Sequence, residues 1–251
     1  MTLFLVFLLC LGPTPASSTT AARDCLRIAT PERAGETNAD GSGLYFDLLQ
    51  AIYNPLDIDL CIEIVPHKRV VHMFHNQTID ASIAFYSEEI ENQIGIHSYT
   101  SSTYAIGKER LVAIFKKSAF PKWSFPQTLK NRRVAWISGY GYDKEMTVPV
   151  DYQKITSSTQ GWNLLKFGRI EVLLDRYSDA LAAYSGLGDI DLDQYTFEIV
   201  GQQNLSIPFA KTKRGRSFKK LFDRRMEELW QNGEIAQIYQ SWGRELPPRA
   251  E

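Results

Sequence analysis

Short apolar runs of strand length alternate with amphipathic helical stretches along this chain, and the alternation starts afresh halfway. The first set opens with Leu26–Thr30 and a loop, Pro31–Gly43, marked by its Gly, Asn, Asp and Glu content. A helix over Tyr45–Tyr53 follows, with Phe46, Leu49 and Ile52 on one face. Strand Leu60–Val65 ends at Pro66, a helix covers Arg69–His75, and Ile79–Phe85 is a third strand. Leu111–Lys117 reads as a long strand leaving this set. The second set holds strand Arg133–Ile137, the turn Ser138–Gly141, strand Tyr152–Thr156, helix Gln160–Phe167, strand Ile170–Leu174 and helix Ser178–Tyr184. Ser157–Thr159 supply N-cap candidates, and Gly168 suits the residue after a helix end. Strands Thr196–Val200 and Ile207–Lys211 lead back, and helices Ser217–Gln231 and Ile235–Trp242 close the chain. Strand–helix–strand order at these lengths predicts an α/β fold with parallel strands and crossover helices.

The N-terminus reads differently. Thr2–Leu11 is an apolar run too short to span a bilayer, which takes ~20 residues. With the small, polar residues Gly12–Ala22 behind it, residues 1–22 have the form of a cleaved secretory signal. That leaves about 229 residues, enough for one large or two small domains. Net charge is −1 and no basic patch with interleaved aromatics occurs, so nucleic acid is not expected as a partner. Lys213–Arg216 reads as a solvated turn ahead of a helix.

Cys10 leaves with the leader, so Cys25 and Cys61 remain as an even pair in an oxidising compartment. Each abuts a strand, and neighbouring parallel strands bring the two within bridging range, so we expect a structural disulfide. No Cys or His pair has ligand spacing backed by a second pair, so neither a metal nor another cofactor is expected.

The C-terminal third carries GRIEVLLD (Gly168–Asp175), LSIPFAK (Leu205–Lys211) and NGEIAQIYQSWG (Asn232–Gly243). With GLYFDLL (Gly43–Leu49), IDASIAF (Ile79–Phe85) and LKNRRVAWISGYG (Leu129–Gly141), these runs resemble the extracellular solute-binding proteins of family 3. Their order over Leu26–Gly243 is the specific part. The resemblance implies a two-lobed periplasmic-binding-protein-like (type II) fold, each lobe a mostly parallel sheet flanked by helices. Residues 23–104 and 203–251 would form a discontinuous first lobe, and 105–202 the second. Crossings are expected near Ser101–Gly107 and Glu198–Asn204.

In such a fold the ligand lies between the lobes, at the carboxyl ends of the strands. That position nominates Glu32, Arg33, His67, Arg69, Phe85, Tyr86, Gly139, Tyr140, Gly141 and Asp175. Asp175 sits where the family's GRxDAxxxD pattern places a carboxylate for a ligand ammonium; the alternative is a helix cap or an ion pair with Arg176. The glycines of Ser138–Gly141 free backbone N–H groups for an anion, or simply make a tight turn. His67 aligns with an aromatic that stacks on ligand in relatives, or is a strand-end surface residue. Phe85 and Tyr86 are pocket wall or core.

One departure bears on the ligand. Amino-acid binders of this family carry an Arg soon after the third strand, and this chain has Ile90 near that position. Arg33 or Arg69 would have to replace it. Glu88, Glu89 and Glu91 make the same region acidic, which suits a cationic ligand or a solvated loop. The resemblance implies a monomeric periplasmic protein that captures a small polar solute, amino-acid-like or amine-like. It would serve an ABC importer or act as a sensor. The alternatives are an enzyme on the same scaffold, dehydratase-like or glycan-cleaving, and an interaction module. No nucleophile motif supports the enzyme.

Overall fold

The computed structural model describes residues 24–83, 99–138, 140, 142, 146–188 and 190–249. The leader at 1–22 and the candidates Phe85, Tyr86, Gly139 and Gly141 lie outside them, as does the acidic run with Ile90.

Strands β1 (Asp24–Thr30), β2 (Ile58–Ile64) and β3 (Ala81–Ser82) alternate with helices α1 (Leu44–Tyr53) and α2 (His67–His75). Then come β4 (Tyr99–Lys116), β5 (Arg133–Ile137), β6 (Asp151–Ile155), α3 (Ser158–Lys166), β7 (Val172–Arg176), α4 (Tyr177–Ser185) and β8 (Tyr195–Ala210). Helices α5 (Lys213–Asn232) and α6 (Glu234–Ser241) close the chain. Strand order is β2-β1-β3-β8-β4-β7-β5-β6. Parallel pairs occupy each flank, β1 with β2 and β3, and β5 with β6 and β7. The long strands β4 and β8 run antiparallel through the middle.

Each set was expected to have its own sheet. Instead β4 and β8 pair along nearly their whole length and join both sets into one sheet of eight strands. The runs Thr196–Val200 and Ile207–Lys211 are two ends of one strand, because the polar residues between them still find backbone partners across the pair.

Hydrophobic packing nevertheless divides in two. Leu26, Phe46, Ile106, Leu205 and Phe222 share one core. In the other half, alternate residues of β4 serve opposite faces of the sheet. Val112 and Ile114 pack with Trp162 and Leu173, while Ala113 and Phe115 pack with Trp136 and Leu174. The hand-over lies between Ile106 and Val112 on β4, where the pairing shifts register between Leu111 and Val112.

Several helix boundaries differ from the sequence reading. Thr212 accepts a hydrogen bond from the Gly215 backbone N–H, so α5 begins at Lys213 and the basic run Lys213–Arg216 is its first turn rather than a solvated loop. Ser157 caps α3, accepting from the Gln160 N–H. The expected disulfide links β1 to β2, with Cys25 and Cys61 Cα atoms 5.8 Å apart.

Candidate functional site

Beyond β1 the chain folds back on itself. Arg33 and Thr37 exchange backbone hydrogen bonds of 3.1 and 2.8 Å, and the Thr37 hydroxyl donates to the Pro31 carbonyl at 2.7 Å. Gly43, at φ 137°, lets this loop pack on the start of α1; any side chain there would strike the Glu36 carbonyl. The result buries Arg33 and Glu36 together.

Arg33 is satisfied on several sides. Its Nη1 donates to Glu109 at 2.5 Å and lies 3.4 Å from Glu36, and its Nη2 donates to the Ile83 carbonyl at 3.3 Å. Glu109 comes from β4, inside the hand-over between the two cores. The second half supplies Arg176 from the end of β7. Its Nε lies 3.2 Å from Asp179, its Nη1 3.9 Å from Glu109, and its guanidinium 4.5 Å from the Tyr140 ring centroid. His67, first residue of α2, meets Tyr140 edge-on at 5.9 Å. Groups from both halves therefore converge around Glu109.

Electrostatics set the protonation states. Burial, with Arg176 and Arg33 nearby, pushes the His67 imidazole down to about 4, so it is neutral at pH 7. Burial also raises Glu36, against the pull of Arg33. Asp175 is fully buried in β7. Its Oδ1 accepts from the Arg176 N–H at 2.9 Å, and among the described residues its Oδ2 has no hydrogen-bond partner. Burial and then Asp179 raise it to about 7, against the Ser158 hydroxyl and the Arg176 N–H. A cavity of about 250 Å³ opens beside the cluster, lined by Glu36, Tyr45, Glu109, Tyr177 and Ser178 among others.

Among the candidates, Arg33, His67 and Tyr140 come together here, and Asp175 adjoins Arg176. Glu32 and Arg69 are exposed and outside the cluster. Helix α2 starts at His67, and Val70 and Phe74 take its buried face, which leaves Arg69 on the solvent side. Sequence reasoning missed Glu36, Glu109 and Asp179, and took Arg176 only as an ion-pair partner for Asp175. The Lys108–Arg110 charge run inside a strand-like stretch was the signal for Glu109.

No protein-family model matches the chain, and no curated protein matches it in sequence. Solved structures do match. A variant of ArgBP from T. maritima superposes with a TM-score of 0.68 at 16% identity, over 87% of this chain and 94% of that one. An ABC uptake transporter substrate binding protein from Streptococcus pneumoniae with bound histidine gives 0.69 at 17%, over 90% and 95%. The GluR0 ligand-binding core from Nostoc punctiforme, in complex with L-glutamate, gives 0.68 at 15%, over 86% and 98%. The chain thus has the two-lobed α/β fold of these ligand-binding proteins.

Proposed function

We propose that this protein captures a small polar solute between its two lobes and hands it to an ABC importer or a sensor. The observation that carries the reading is convergence: Arg33 and His67 from one half meet Tyr140 and Arg176 from the other, over Glu109 on a crossing strand. A molecule bridging such groups favours the closed arrangement by its differential contacts. Solved structures of the same fold hold histidine and L-glutamate. In this reading residues 23–104 and 203–251 form one lobe and 105–202 the other. The protein works in the periplasm as a monomer, after removal of residues 1–22.

Asp175 takes the cationic end of the solute, because among the described residues its buried Oδ2 lacks a donor. A thermal-shift screen of amines, polar amino acids and short peptides should find the solute, since occupancy at 100 times Kd adds about 2.7 kcal/mol of stability. Small-angle scattering with that solute should then show a smaller radius. An unchanged radius at saturation argues against closure around a ligand.

A further inference from the structure

We infer that the solute is a cation without a free carboxylate, and that Glu109 is the resident carboxylate on the two guanidinium groups a solute carboxylate would otherwise need. This rests on the cleft being the capture site.

The hydrogen bonds and ion contacts carry it. A carboxylate is gripped by two parallel N–H groups of one guanidinium. Arg33 has Nη1 on Glu109 at 2.5 Å and Nη2 on the Ile83 carbonyl at 3.3 Å. Arg176 is held by Asp179 at 3.2 Å, approached by Glu109 at 3.9 Å, and stacked on Tyr140. Among the described residues, Arg33 Nε is the buried N–H of these two guanidinium groups without a hydrogen bond, and a single N–H makes no fork.

The buried oxygens tell the opposite story. Among the described residues, Asp175 Oδ2 and Glu36 Oε2 are buried without a hydrogen bond, Glu36 Oε2 having the Arg33 ion contact at 3.4 Å, and Glu36 lines the cavity. Four carboxylates, Glu36, Glu109, Asp175 and Asp179, surround two guanidinium groups, with Arg244 at the rim 3.8 Å from Glu36. His67 adds no charge at pH 7, and burial raises both Glu36 and Asp175, which a cation would reverse. Among the described residues, both guanidinium forks are engaged and these two carboxylate oxygens, Asp175 Oδ2 and Glu36 Oε2, are where a donor of the solute fits, while the neighbouring cavity balances Lys108, Arg110 and Arg244 against Glu36, Glu109 and Glu245.

Matched pairs test this: agmatine against arginine, histamine against histidine, and cadaverine against lysine, titrated calorimetrically into the wild-type protein. The decarboxylated member of a binding pair should bind at least tenfold tighter. Equal or tighter binding of the amino acid overturns the inference. Glu109→Gln should release the Arg33 guanidinium, leaving Arg176 on Asp179, and improve the amino acid relative to its amine by tenfold or more. An unchanged ratio in a folded variant removes Glu109 from the role, and if the variant does not fold, the wild-type pairs decide. If a carboxylate-bearing solute binds and compacts the protein while the amines do not, solute capture stands and this inference falls. If no amine, amino acid or peptide raises the melting temperature, the capture reading falls with it.

Discussion

Asp80 and Asp175 are both fully buried aspartates, one in each half of the molecule, and their surroundings could hardly differ more. Asp80 lies just ahead of β3. It accepts three N–H groups of Arg27, at 2.8, 3.0 and 3.1 Å, and Arg214 Nε at 3.1 Å. Burial works to raise its pKa, but the hydrogen bonds from Arg27 and Arg214 prevail and hold it below the usual range. Asp175 lies near the carboxyl end of β7, and there burial prevails. Both are sealed from solvent, yet Asp175 lies deeper, beside Asp179, and with fewer donors, and these differences together give the opposite shifts. Position completes the contrast. Asp80 sits at the amino end of its strand and ties β1 to the first turn of α5. Asp175 sits at the end where ligands of open α/β sheets bind.

The sharpest way to break this contrast is to remove the Asp175 charge and measure solute binding. If Asp175 pairs with a cation in a closed cleft, Asp175→Asn should weaken binding by about 2–5 kcal/mol, mostly through a faster off-rate. Calorimetry at pH 8, where the parent carboxylate is ionised, reads this directly. Equal affinity in variant and parent would show that Asp175 is a structural group like Asp80.

Asp80→Asn should act on the fold instead. Removing one partner of a buried ion pair typically costs about 3–5 kcal/mol. Here the Arg27 and Arg214 side chains are 44% and 39% exposed, so water takes over part of their solvation and about 2–3 kcal/mol is expected. Because the folded pKa is depressed, this stabilisation is present above the unfolded value near 4 and is lost as pH falls through the folded one. Urea midpoints at pH 7 test it, and an unshifted midpoint would remove Asp80 from the structural role.

The contrast also marks what the residues revealed in advance. Leu26–Thr30, Arg133–Ile137 and the capped helix after Ser157 were legible because apolar periodicity and cap chemistry are local. Asp175 was legible as a carboxylate at a strand's carboxyl end. The Asp80 network was not, since Arg27 and Arg214 lie 53 and 134 residues from it. Glu109 was hidden for a related reason. A charge inside a strand reads as an exposed face until the antiparallel pair carries it between two cores.

The smallest effect expected concerns Asp175 and the fold alone. Its folded pKa of about 7 lies above the unfolded value near 4. The stability it contributes is therefore full below pH 4 and is lost as pH rises through 7. Three pH units set an upper limit of about 4 kcal/mol on that loss. Relaxation and water entry around the carboxylate reduce it, and an amide at the same place keeps its own polar atoms to satisfy. We expect Asp175→Asn, without solute, to be about 1–2 kcal/mol more stable than the parent at pH 8 and no more stable at pH 4. Asp80→Asn should be less stable at pH 8 and approach its parent at low pH. Denaturant titrations of both variants at the two pH values measure the crossing. If Asp175→Asn loses stability at pH 8, donors outside the described contacts already satisfy that carboxylate, and the distinction between the two aspartates closes.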